Sequence, residues 1–105
     1  MTDTIVVFMT AANADEARRI ANHLVELKLA GCVQILPEIE SVYRWEGKVQ
    51  RESEVLMLAK STTAQFAELE KAVRAIHSYE IPEIVAVPMA AVSEPYRAWL
   101  ASNVS

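Results

Sequence analysis

The stretch His77-Ser78-Tyr79-Glu80-Ile81-Pro82-Glu83 gathers more reactive side chains than any other part of the chain. An imidazole followed closely by carboxylates can hold a borderline divalent cation such as copper or zinc, and Pro82 would stiffen the loop presenting Glu80 and Glu83. A histidine at a helix end can equally act as a cation on the helix dipole, so both readings stay open from the residues alone. Met9 closes an apolar run and is either a core side chain or a thioether able to ligate Cu(I). A second polar set, Tyr43, Arg44, Trp45 and Lys48, flanks Glu46-Gly47. Two cations and two aromatic rings there could receive a small anionic metabolite or a partner loop. Glu38, Glu40, Glu52 and Glu54 read as solvated or interface faces of the flanking strands, and His23 as a surface residue.

Other chemistries lack their residues. Cys32 is the single cysteine, which forbids an internal disulfide framework and fits a reducing compartment; at the start of an apolar strand it reads as a small core hydrophobe. No motif supplies it with a base, so nucleophilic catalysis has no visible machinery, and no enzyme is expected. Gly31 and Gly47 are the only glycines, too few for a phosphate-cradling loop. The segment Thr10-Ala11-Ala12-Asn13-Ala14-Asp15 carries no basic residue for an anion-binding enzyme loop, and no cysteine pair follows the first strand for a metallochaperone. With 10 basic and 14 acidic side chains the net charge is -4, which argues against a broad footprint on nucleic acid or anionic membrane. No apolar run reaches the roughly 20 residues of a membrane helix. Met1-Thr2-Asp3-Thr4 lacks the basic region of a secretion signal, so a cytoplasmic location is expected.

The elements that must position these groups follow from periodicity. Thr4 to Thr10 is a β-branched and aromatic run without alternation, as in a strand covered on both faces. Asn13 with Glu16 is a capping-box-like helix start. Ala17, Ile20, Leu24, Leu27 and Leu29 form the apolar stripe of that helix, and Gly31 is placed to end it. Cys32 to Trp45 and Lys48 to Lys60 form a long hairpin reversing at Glu46-Gly47, with Pro37 marking a bulge or an edge. Thr62 with Gln65 opens a second helix running to His77, through Phe66, Leu69, Val73 and Ile76. The last strand runs from Ile84 to Ala90 and requires an edge or a bulge at Pro88. Ser93-Glu94-Pro95 begins a short final helix carrying Tyr96, Trp99 and Leu100.

A chain of 105 residues is one domain, so residues 1–105 form a single unit. The order β-α-β-β-α-β with right-handed crossovers places both main helices on one face of a four-stranded antiparallel sheet, an α+β ferredoxin-like sandwich with a short C-terminal helix. An RNA-recognition version of this fold would need stacking aromatics on the third strand, and that strand has none. The other sheet face has no helix to cover it, while 52% of the residues are apolar. A second copy of the chain is the simplest cover, so a homo-oligomer is expected.

Taken together, Cys32-Val33-Gln34-Ile35-Leu36-Pro37, Ser41-Val42-Tyr43-Arg44-Trp45-Glu46-Gly47-Lys48, Glu54-Val55, Lys60 and His77-Ser78-Tyr79-Glu80-Ile81-Pro82-Glu83-Ile84 resemble the CutA divalent-cation-tolerance family. The resemblance runs from the first strand to Trp99. It implies a tight trimer, similar in architecture to the trimeric PII signalling proteins, and a link to divalent-metal tolerance and copper. The copper site implied by the family uses a cysteine at the end of the first strand and two histidines before the last loop; those positions here are Met9, Ile76 and His77, followed by Ser78 in place of proline. The implied metal set is therefore His77 and Met9, with Glu80 and Glu83 as oxygen donors. The alternatives are a PII-like module binding a small metabolite near Tyr43, Arg44, Trp45 and Lys48, and a structural trimer acting through a protein partner.

Overall fold

The structure is a computed structural model that describes residues 3–105; Met1 and Thr2, read above for a secretion signal, lie outside the described residues. Strand β1 (Thr4–Ala11) leads into helix α1 (Ala14–Glu26), then strands β2 (Cys32–Trp45) and β3 (Lys48–Thr62). A 3-10 turn (Thr63–Gln65), helix α2 (Phe66–Ile76), strand β4 (Ile84–Pro88) and helix α3 (Glu94–Asn103) follow. The sheet order is β2-β3-β1-β4 and every pairing is antiparallel. This is the expected ferredoxin-like arrangement. No helix is long and apolar enough to cross a membrane among the described residues.

Alternation along β1 divides the sheet into two faces. Val7, Met9 and Ala11 are fully buried and share a core with Met57 and Ala59 of β3, Ile20 and Leu24 of α1, and Leu69 and Val73 of α2. The opposite parity, Val6 and Phe8, is only half-buried. Its neighbours on β4, Val87 and Val85, are 46% and 52% exposed. The apolar face foreseen without a helix cover is therefore present.

Local signals were obeyed where backbone chemistry acts alone. Asn13 accepts from the Glu16 N–H at 2.8 Å and caps α1. The reversal at Glu46-Gly47 has φ of 51° and 79°, the paired left-handed residues of a tight hairpin. The register of β2 against β3 shifts between Leu36 and Ile39, around Pro37, as a bulge requires.

Four expectations are corrected. Helix α1 stops at Glu26, five residues before Gly31, because Lys28 takes the left-handed conformation at φ 60°. Leu27 consequently leaves the apolar stripe and is 49% exposed. Gly31 serves space instead of a cap: a Cβ there would lie 2.6 Å from Cδ1 of the buried Leu100. Thr62 makes no side-chain cap, and the chain enters α2 through the 3-10 turn. Strand β4 ends at Pro88, which has no N–H to continue the ladder, rather than at Ala90.

Candidate functional site

The β2–β3 hairpin makes the molecule 44 Å long against 26 and 23 Å in the other directions. Because side chains alternate across the ribbon, Tyr43 pairs with Gln50 and Ser41 with Glu52 on one of its faces. The Tyr43 hydroxyl donates to Glu52 Oε1 diagonally across the strands. That bond to an anionic acceptor, followed by burial, pushes the phenol pKa up. Tyr43 and Trp45 form one wall of a cavity of about 700 Å³.

The segment after α2 forms the other wall, and a buried set of polar groups holds it there. Glu16 and His77 have side chains only 3% and 0% exposed. Glu16 Oε1 accepts from the Ala12 N–H at 2.9 Å and Oε2 from the Ser78 N–H at 2.7 Å. His77 Nδ1 accepts from the Tyr79 N–H at 3.0 Å, which leaves the ring proton on Nε2 to be donated to the Thr10 carbonyl at 2.7 Å. Burial raises the Glu16 pKa, but the Ala12 N–H, Ser78 and the nearby His77 outweigh it and hold the carboxyl below its ordinary range.

Tyr79, fixed by that arrangement, donates its hydroxyl to Glu54 Oε2 at 2.7 Å. Burial first, then this bond, push its phenol pKa strongly up. Glu54 is 9% exposed, so of the solvated and interface readings given for the hairpin glutamates, the solvated one does not hold for it. Glu52, Glu54, Glu80 and Glu83 all line the cavity, and among the described residues no lysine, arginine or histidine does.

The sequence-derived candidates thus separate. Tyr43, Trp45, Glu80 and Glu83 come together around the cavity, although they belong to two different sets in the sequence. Arg44 and Lys48 do not line it; the Arg44 guanidinium donates to the Gly47 carbonyl at 3.3 Å, across the hairpin turn. The cavity that Tyr43 and Trp45 line is therefore anionic, the reverse of what an anionic metabolite needs. Met9 is fully buried in the core, with Met57 and Ile84 as its cross-strand neighbours. His77 has both ring nitrogens engaged and makes a poor ready-made metal donor. Among the described residues no group of three or more His, Cys, Asp or Glu side chains is placed to hold a metal ion. Sequence reading missed Glu16, Glu54 and Tyr79 as the frame of the site. The capping-box position of Glu16 already accounted for that residue, and pairs 25 and 62 residues apart in the chain leave no local signal.

A four-stranded ferredoxin-like sheet with one uncovered face, and a projecting hairpin with a carboxylate-lined cavity along it, defines a small α+β domain. Residues 5–103 match the model of the family described as CutA1 divalent ion tolerance protein, and the chain belongs to that family. It is 46% identical to the divalent-cation tolerance protein CutA of Thermus thermophilus over 98 residues, covering 93% of this chain and 95% of the relative. It is 43% identical to the chloroplastic protein CutA of Arabidopsis thaliana, covering 95% of this chain and 55% of the relative. The chain thus spans about half the length of the plant relative and nearly all of the bacterial one. The solved Thermus thermophilus structure superposes with a TM-score of 0.95 at 44% identity, covering 97% of this chain and 99% of that one. A structure from Archaeoglobus fulgidus titled as a periplasmic divalent cation tolerance protein gives 0.94 at 37% identity, covering 97% and 99%.

Proposed function

We propose that this chain serves divalent-metal tolerance as a non-catalytic homotrimer, and that its binding element is the cavity between the hairpin and the segment after α2. The observation that carries this reading is the lining: four glutamates and, among the described residues, no cationic side chain. Such a cavity concentrates cations and repels anions. The half-exposed apolar face of Val6, Phe8, Val85 and Val87 supports the trimer, since a contiguous apolar patch of this kind marks a protein interface. The single cysteine keeps the cytoplasmic reading, beside relatives whose names place them in chloroplast and periplasm.

Copper is the first metal to test. At His77 it would have to displace a bond to a backbone carbonyl and another from a backbone N–H, so the imidazole is not free to bind. The glutamates offer hard oxygen donors that suit a loosely held, largely hydrated divalent cation. Calorimetric titration of metal-free protein with Cu(II), and anaerobically with Cu(I), is expected to give weak Cu(II) binding, with a dissociation constant of about 0.1 mM or higher. Glu80→Gln with Glu83→Gln should reduce it further, and Cu(I) should not bind. Tight binding at one ion per chain, abolished by His77→Asn and untouched by the glutamine variants, would overturn this reading. Sedimentation equilibrium should return three times the chain mass of 11.7 kDa.

A further inference from the structure

Resting on that reading, the geometry points to an organic cation with a flat, apolar body, an amidinium, a guanidinium or an aromatic ammonium, as the ligand of this cavity. Three features suit such a ligand better than a bare ion. The carboxylates face one space without converging on one point, since among the described residues no three acidic, histidine or cysteine side chains are placed to hold a metal. A point charge could satisfy only part of them, whereas a ligand several ångströms long could reach from one to another.

The walls are aromatic. Trp45, Tyr43 and Tyr79 border the cavity, and ring faces attract a cation and a flat apolar body at once. Both tyrosine hydroxyls are already committed, to Glu52 and Glu54, so the rings are held in place.

The third feature is Glu54. The residue is nine-tenths buried, and among the described residues only Tyr79 donates to its carboxylate, at Oε2. No side-chain bond to Oε1 is formed among the described residues, and a ligand N–H in the cavity that Glu54 lines would engage it. A volume of about 700 Å³ falls within the usual range for a small-molecule site.

Benzamidinium, benzamide and benzoate share one body and differ in charge, which makes them suitable probes. They are titrated into the Trp99→Phe chain, so that Trp45 alone reports fluorescence, and into the unsubstituted protein by calorimetry. Benzamidinium is expected to saturate the signal at least tenfold tighter than benzamide, with benzoate weakest. Glu54→Gln should weaken benzamidinium at least tenfold and leave benzamide unchanged. Glu80→Gln with Glu83→Gln, both at exposed positions, tests the same selectivity without touching a buried group. Equal affinity for the three probes overturns the inference. So does silence of Trp45, the result expected if a basic side chain of another copy fills the cavity. Copper binding that depends on the glutamates with no benzamidinium response sinks the inference alone; copper held at His77 with benzamidinium still in the cavity sinks only the metal reading.

Discussion

Glu16 is the residue whose removal should be felt furthest away. It accepts backbone N–H groups from Ala12 and Ser78, and so ties the β1–α1 junction to the segment carrying Tyr79. Glu16→Gln replaces one acceptor oxygen by a donor facing an N–H, an expected loss of about 1–3 kcal/mol at pH 7. The sign with pH follows from the depressed pKa. A carboxyl held below its ordinary 4.5 in the folded state stabilises fully above that pH, and the contribution fades as pH falls through the folded-state value. Urea denaturation of both proteins at pH 7 and at pH 3 is expected to show a gap that narrows in acid. A gap of unchanged size would mean that the carboxylate charge contributes nothing. His77 belongs to the same frame, which is why a side chain legible in the sequence as a metal donor is occupied in the fold.

At the scale of elements, the junction between α1 and β2 is set by contact with α3. Gly31 sits against Leu100, with Trp99 and Val104 at 3.6 Å from where a Cβ would be. Gly31→Ala should therefore cost about 1–3 kcal/mol through overpacking, measurable as a lowered denaturation midpoint. Gly31→Ala with Leu100→Ala should recover part of the Gly31→Ala loss relative to Leu100→Ala alone, and full additivity would show that the two do not meet. This junction also marks where legibility ended. The first strand and the hairpin were readable because a short β-branched run, Pro37 and Glu46-Gly47 are local signals. The helix ends were not: Gly31 looked like a cap because its actual constraint, a leucine 69 positions later, is tertiary. The same holds for the cavity, whose two aromatic–carboxylate pairs differ in range. Tyr43 and Glu52 are joined by the hairpin register, which was readable, whereas Tyr79 reaches Glu54 only after α2 has packed.

For the whole molecule, two surfaces govern behaviour: the half-exposed apolar sheet face and the acidic cavity, which meet at Thr10 on the face shared with Phe8 and Leu56. Their adjacency means that assembly across the sheet would shape the mouth of the cavity, so binding and oligomeric state should be measured on the same sample. The identity of the charge that the cavity accepts is the central claim, and a crystal structure of the full chain grown with benzamidinium tests it most directly. The account predicts the amidinium within hydrogen-bond distance of Glu54 and its ring against Trp45 or Tyr43. A cavity filled by a lysine or arginine of another copy, or an amidinium bound only elsewhere on the surface, would contradict it.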